Sequence, residues 1–257
     1  MSRISFTNWI RLLIALLLLC VVDFYFHSAR LGNSSSPHLK DNCSASVDAP
    51  SVAPKYLEPL QNRLELGDRL EREGMKTGAE LGVKEGFFAR DLLRAWPSAT
   101  EYVLVDVWAK LENYSDIANI GDRDVHYRSA LRETLPWKEK IRVCRNFTTS
   151  CVMNFPDEYF DFIYVDARHD RKGVTLDLEA WWPKLKVNGI FAGHDYVACA
   201  PECRDGNGWD LNYDGTIDPD GLAVKGAVDN FAVKVSRQIQ IVYNEKPSQY
   251  WTWVMRK

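Results

Sequence analysis

The chain has 257 residues, 46% of them hydrophobic and 12% aromatic, with 32 basic against 35 acidic side chains and a formal charge of −3. This is enough for one domain of about 200 residues with its own core, plus extensions. The charge balance excludes a general polycation for nucleic acid, and no internal repeat is present.

The first element is an unbroken apolar run, Leu12–Val22, extended by Trp9-Ile10 before it and Phe24-Tyr25-Phe26 after it. A membrane-spanning helix needs about 20 mostly apolar residues, and 9–26 nearly reaches that. Arg3 and Arg11 on its N-terminal side predict that this end stays cytosolic. Residues 1–28 therefore read as a cytosolic tip and transmembrane signal anchor. A cleaved signal peptide is the competing reading, with Ser28-Ala29 as a weak cleavage site. Either one sends the rest of the chain into the secretory pathway. The anchor reading gives a single-pass type II membrane protein, its main domain in the lumen of the ER or Golgi or outside the cell. N-x-[ST] sequons at Asn33, Asn42, Asn113 and Asn146 agree with that compartment and predict a glycoprotein. Residues 29–55, rich in Ser and Pro, read as a flexible stalk.

The domain spans 56–257. Residues 56–73 carry Leu57, Leu60, Leu64 and Leu70 among charges and predict an amphipathic helix. From Thr77 to Asp106 the pattern is strand, glycine turn, helix, strand, acid, the outline of a nucleotide-type βαβ unit. Gly82 and Gly86 let backbone approach a ligand closely. An acid at the tip of the second strand, Asp106, is placed to accept hydrogen bonds from ribose hydroxyls. The full G-x-G-x-x-G is missing, so no dinucleotide fingerprint is present. Residues 112–120 and 124–133 read as helical pieces, 141–144 and 160–166 as strands, and 173–182 as a helix. A turn at 187–189 precedes a fifth strand, 190–193, which ends at His194-Asp195. A helix over 222–234 and strands over 238–243 and 250–255 close the domain with a hairpin. Trp181-Trp182 reads as core. Strands alternating with helices predict an α/β fold with a mostly parallel sheet covered on both faces. Its ligands would sit at the carboxyl ends of the strands, which puts Gly82, Asp106, Asp166 and His194-Asp195 along one edge.

ELGVKEG, LVDVW, FDFIYVDARHD and KLKVNGIFAGHDY, in that order, resemble the class I S-adenosylmethionine-dependent methyltransferases. The closest resemblance is to the group that includes macrocin O-methyltransferase and cephalosporin-hydroxylase-like proteins, and it covers roughly 56–257. It implies a Rossmann-like sheet of seven strands, the last antiparallel. By the same resemblance Glu80, Gly82 and Gly86 frame the methionine end of S-adenosylmethionine, Asp106 holds its ribose, and Asn146 and Phe147 lie near the adenine. Metal-dependent members hold a divalent cation with acids after the fourth and fifth strands, here Asp166 and the pair His194-Asp195. The histidine weakens the case for magnesium and leaves manganese or zinc open. His169 is the best general base, with Asp170 as second choice. The implied activity is methyl transfer to a hydroxyl of a small molecule, sugar or glycan.

Asp210-x-Asn212-x-Asp214-Gly215-x-Ile217-Asp218 resembles the start of an EF-hand calcium loop, but Gly221 stands where a bidentate Glu is needed. It reads as an acidic loop over the site. Two alternatives stay open: a non-catalytic calcium-dependent binding domain on the same fold and, from the short anchor plus stalk, a lumenal glycosyltransferase, which would need a D-x-D at a strand end where Asp218-x-Asp220 sits in a loop. Cys199 and Cys203 flank the loop. In an oxidising lumen they are expected to pair with each other or with Cys43, Cys144 or Cys151, leaving Cys20 free.

Overall fold

The structure is a computed structural model that describes residues 58–116, 119–198, 208–242 and 250–257. The expected anchor and stalk, the sequons at Asn33 and Asn42, and Cys20, Cys43, Cys199 and Cys203 lie outside the described residues. Among the described residues no helix is long and apolar enough to cross a membrane.

Helix α1 (Glu65–Arg72) leads into β1 (Thr77–Leu81), α2 (Phe87–Ala95) and β2 (Glu101–Asp106). Then follow α3 (Arg123–Glu133), β3 (Ile141–Arg145), a single turn α4 (Thr148–Cys151), β4 (Phe160–Val165) and α5 (Arg171–Trp181). Strand β5 (Leu185–Gly193), α6 (Ala223–Val235), β6 (Gln240–Val242) and β7 (Thr252–Arg256) complete the domain. One sheet of seven strands results, in the order β3-β2-β1-β4-β5-β7-β6. Strands β1 to β5 run parallel, and β7 lies antiparallel between β5 and β6. This is the Rossmann-like arrangement expected from the sequence, with the hairpin where it was predicted.

Both faces of the sheet are dry because the strands alternate apolar residues to each side. Tyr102 and Leu104 of β2 and Phe162 and Tyr164 of β4 pack against Leu66, Leu92 and Trp96 of the α1–α2 layer. Val103, Val105, Ile163 and Val165 face the other way, onto Leu178 and Trp181 of α5 and Phe231 of α6. Trp181 is fully buried and Trp182 packs against the same cluster, so this pair is core, as expected.

Three expected elements differ. The first helix starts at Glu65, not at 56, and Asn62 turns the chain just before it by accepting from the Leu64 amide. No α-helix forms over 112–116, where Asn113 adopts φ 49° and the Asn119 side chain takes up the Leu111 backbone and the Tyr114 carbonyl. Residues 187–189 are not a turn before a strand but an irregularity within β5, where the register against β4 shifts and Asn188 adopts φ 65°.

Cys144 and Cys151 form a disulfide across a separation of 7 residues, a pairing of two cysteines expected instead as partners for Cys199 or Cys203. It closes the loop that carries Asn146 and Phe147 from β3 into α4. Loop-closure entropy for so short a ring is about 2 kcal/mol. The Cys144→Ser/Cys151→Ser variant should lose stability of that order in urea unfolding; an unchanged midpoint would show that the bridge constrains nothing.

Gly82 sits at φ 84°, and a Cβ there would lie 1.9 Å from the Asp166 carbonyl oxygen. Gly86, at φ 81°, would press a Cβ to 2.8 Å from Ala130 Cα. Both glycines are therefore demanded by the protein's own backbone. Gly82→Ala should cost at least about 3 kcal/mol through clash and strain combined. Denaturant unfolding with no ligand present checks this; a stable variant that had only lost ligand affinity would contradict it.

Candidate active site

A cleft of about 640 Å³ runs along the carboxyl ends of β1 to β5, and Gly82, Asp106, Asn146, Asp166 and His194 all line it. The edge predicted from strand ends is real. Of the residues expected to bind cofactor, Glu80, Gly82, Asp106, Asn146 and Phe147 reach this cleft, whereas Gly86 stands behind it as the N-cap of α2.

On the β1–β2 side, Glu80 is buried and receives a hydrogen bond of 3.2 Å from the Tyr102 hydroxyl. Burial, with Asp166 and Asp106 nearby, holds its carboxyl well above the usual carboxylate range. A cation entering the cleft would restore its charge. Asp106 does more than face a ribose. Its Oδ2 accepts from the Val83 and Lys84 amides at 2.9 and 2.8 Å, and its Oδ1 from the Trp108 amide at 2.8 Å. It therefore braces the glycine turn against β2. Asn146 is exposed at the far end, its Oδ1 accepting from the Phe147 amide.

On the β4–β5 side, Asp166, His169 and Asp195 bring one ligand atom each within 4.8 Å of one another. His169 Nε2 lies 2.9 Å from Asp195 Oδ2 and 3.5 Å from Asp166 Oδ1. It is buried and makes no aligned hydrogen bond to either. His169 Nδ1 pairs with Asp116 Oδ2 at 2.9 Å and with the Tyr114 hydroxyl at 3.2 Å. The Trp209 ring lies 4.5 Å from the imidazole, tilted by 54°, and its indole N–H donates to the same Asp116 oxygen. Burial alone would push His169 down; Tyr114, Asp195, Asp116 and Asp166 outweigh it and hold the imidazole well above its ordinary value. Asp195 is buried, which opposes its charge, yet His169 and His194 hold it below the usual range. It also adopts φ 56°, a strained conformation for a residue with a side chain.

The two histidines lie differently from the expectation. His169, expected as a base, joins the two aspartates. His194, expected among the ligands, stands outside the group with Nδ1 3.2 Å from the other Asp195 oxygen. Asp170, the second-choice base, is fully buried and spent on structure. It caps α5 through the Gly173 amide, accepts from the Tyr213 amide and pairs with Arg168 at 2.5 Å.

The calcium-like loop is tied down by protein groups. Asp214 meets Lys172 Nζ at 2.6 Å, Asn212 Oδ1 accepts from the Lys172 amide, and Asp218 pairs with Arg171 and accepts from the Leu222 and Ala223 amides. Asp220 meets the same Arg171. These oxygens serve cations and N–H groups already in the chain.

Tyr114, Asp116, Trp209 and Asp177 were not anticipated. For the first three no local signal exists. Asp177 had one, because Val174, Asp177, Leu178 and Trp181 share the buried stripe of α5. A carboxylate on an apolar stripe is out of place unless it serves something. Burial raises it to about 7, with Asp170 adding to the shift and the Thr148 hydroxyl opposing it by donating to Oδ1. The unfolded carboxyl titrates near 3.8. The contribution of Asp177 to stability is therefore greatest below that value, falls as pH rises to about 7, and is flat above. Asp177→Asn should exceed the wild type at pH 8 by on the order of 2 kcal/mol and match it at pH 3.5. Thermal melts across that range check this; a gap independent of pH would refute it.

Residues 79–196 match the family described as "Methyltransferase domain". Among solved structures, an assigned O-methyltransferase from Nostoc punctiforme superposes with TM-score 0.51 and 11% identity, over 76% of this chain and 55% of that one. An assigned caffeoyl-CoA O-methyltransferase from Staphylococcus aureus gives 0.51 and 12%, over 77% and 86%. The O-methyltransferase from Bacillus cereus in complex with SAH gives 0.50 and 15%, over 76% and 80%. This chain thus spans about half the length of the Nostoc protein. At such identities these neighbours speak for the fold alone. No curated protein matches the sequence. The family match, the sheet order and the cleft agree: the region built on residues 79–196 is a class I S-adenosylmethionine-dependent methyltransferase domain.

Proposed function

We propose that the chain is an O-methyltransferase of the secretory pathway, acting on a hydroxyl of a small molecule, sugar or glycan. One observation carries the reading: the cluster of Asp166, His169 and Asp195 abuts the Gly82 turn, so an acceptor site stands directly against a cofactor site. The structural neighbours from Staphylococcus aureus and Bacillus cereus are named as O-methyltransferases, which supports oxygen as the acceptor atom.

Methyl transfer breaks the sulfonium C–S bond, forms a C–O bond and releases the hydroxyl proton. The protein's share is mainly alignment. Glu80 and Asp166 face the positive sulfonium end with negative or polar groups, Asp106 and Asn146 lie along the nucleoside, and Trp209 and Tyr114 wall the acceptor pocket from water.

A divalent cation fits the acceptor cluster. Three buried or half-buried carboxylates, Asp116, Asp166 and Asp195, surround one imidazole, a surplus of negative charge that invites a cation. His169 Nδ1–H donates to Asp116, which turns an otherwise orphaned, buried Nε2 toward the two aspartates. Asp166, His169 and Asp195 would hold the ion, and the imidazole suits manganese or zinc better than magnesium. Such an ion acts as a Lewis acid that lowers the pKa of the acceptor hydroxyl. His169 is then a holder of the site and not a free base.

The compartment rests on the apolar run before the stalk, which would tether the enzyme to the membrane, on the sequons and on the Cys144–Cys151 disulfide, a bond of oxidising environments. Asn113 and Asn146 are exposed, but Asn113 Nδ2 donates to the Tyr213 carbonyl and Asn146 lines the cleft, so Asn33 and Asn42 are the better acceptors of glycan.

Radiolabelled methyl from S-adenosylmethionine should pass to hydroxyl-bearing sugar acceptors. Chelator should stop the transfer and manganese restore it, while Asp195→Ala and His169→Ala each lose about 10²-fold or more. Chelator-resistant transfer with a fully active Asp195→Ala enzyme would sink the metal reading. Transfer to amines but never to hydroxyls would sink the oxygen acceptor.

A further inference from the structure

We infer that Asp177 reads the amino edge of the cofactor's purine and selects adenine over hypoxanthine, an inference that rests on the cofactor reading above. The placement follows from the cleft. The transferred methyl must lie beside the Asp166–His169–Asp195 cluster, at the ends of β4 and β5. A nucleoside stretched along the strand ends past Asp106 then brings its base to the end of β3. There the cleft has two walls. Asn146, Phe147 and Thr148 come from the β3–α4 loop, and Gly173, Leu176 and Asp177 from α5. Phe147 and Leu176 are exposed apolar side chains, 54% and 40%, that the core does not use. They suit the faces of a flat ring.

Asp177 is the one polar side chain on the α5 wall of this end. It is 4% exposed, yet only its Oδ1 is satisfied, by the Thr148 hydroxyl; Oδ2 has no hydrogen-bond partner among the described residues. Thr148 is itself held, since its carbonyl accepts from Trp181 Nε1 at 3.3 Å and the disulfide closes the turn around it. The carboxylate is thus locked at one oxygen and offers the other to the cleft. The charged groups near it are Asp170 and Arg168, both in the segment leading into α5, and they are committed to each other. The β3–α4 wall, from Asn146 to Ser150, presents no charge.

A buried carboxylate at such a position needs a donor. Adenine supplies one in its exocyclic amino group. Hypoxanthine turns a carbonyl oxygen to the same place, which a carboxylate repels. A hydrogen bond to a charged group contributes about 1.5–3 kcal/mol, equivalent to roughly 10- to 100-fold in affinity. The pairing also explains why the chain keeps a carboxylate on an apolar helix stripe, where an uncharged residue would be more stable in the empty protein.

The test is calorimetric titration of the full chain at pH 8.5, above the range where Asp177 takes up a proton, with S-adenosylhomocysteine and S-inosylhomocysteine. Wild type should prefer the adenosyl compound by about 10- to 100-fold. Asp177→Ala should bring the two within about 2-fold of each other. Asp177→Asn, with an amide N–H in place of the free oxygen, should reverse the preference toward the inosyl compound, a reversal that loss of packing cannot produce. Wild-type discrimination in both variants, with cooperative unfolding curves, would overturn the assignment while leaving the cofactor reading intact. A wild-type protein that binds neither compound would overturn both.

Discussion

The domain depends on one seam of backbone. The glycine turn after β1 lies so close to the end of β4 that the Asp166 carbonyl occupies the space of a Cβ on Gly82. Ladder bonds on both sides, Asp166 N–H to the Leu81 carbonyl at 2.7 Å and Gly82 N–H to the Val105 carbonyl at 2.8 Å, hold the contact shut. Across it, the residues proposed to face the methyl donor and those proposed to face the acceptor belong to one rigid piece. Alignment is the larger share of catalysis in a displacement of this kind, and a sub-ångström change in that spacing would be felt directly. Asp106 strengthens the seam by tying the same turn to β2 through three amides. A residue that looks like a ligand acid is first of all a structural clamp.

The second constraint is charge. The Asp166–His169–Asp195 cluster and its surroundings gather groups from distant segments: Tyr114 and Asp116 after β2, Asp166 and His169 after β4, Asp195 after β5, and Trp209 from the loop before α6. Arg168 helps to deliver the first of these. It lies 4.6 Å over the Tyr114 ring, donates to the Asn113 carbonyl at 2.9 Å and is anchored by Asp170. Two successive residues, His169 and Asp170, therefore face opposite tasks, one holding the site and the other holding the loop that surrounds it.

The sheet and its ligand edge were legible because they rest on local pattern: apolar strands, a glycine turn, and acids at strand tips. Gly82, Asp106, Asp166 and Asp195 fell where the strands end. What stayed hidden depends on pairs far apart in the chain. No spacing rule connects Asp116 to His169, or Trp209 to either, so the placement of His169 beside Asp166 and Asp195, with His194 outside, could not be read in advance. The calcium-like loop misled for the same reason. Its oxygens fit a motif, but their partners, Arg171 and Lys172, lie some 40 residues earlier on α5 and satisfy them at 3.0 and 2.6 Å. Asp177 alone was both overlooked and discoverable, since its place on the helix stripe is visible from periodicity.

The Cys144–Cys151 bridge bears on biosynthesis. Its ring needs only two neighbouring cysteines to meet, which a loop of this size allows within about 10–100 ns; the bond itself then waits on an oxidant that takes up the two thiols' electrons and protons, over seconds to hours. Strands β4, β5 and β7, by contrast, must wait for later parts of the chain. Where an oxidant acts on the nascent chain, the bridge can therefore form without the sheet in place. The wall on which Asn146 and Phe147 sit would then be shaped ahead of the fold that later presses α5 against it. A chain made in a reducing cytosol would reach the same sheet without that early template.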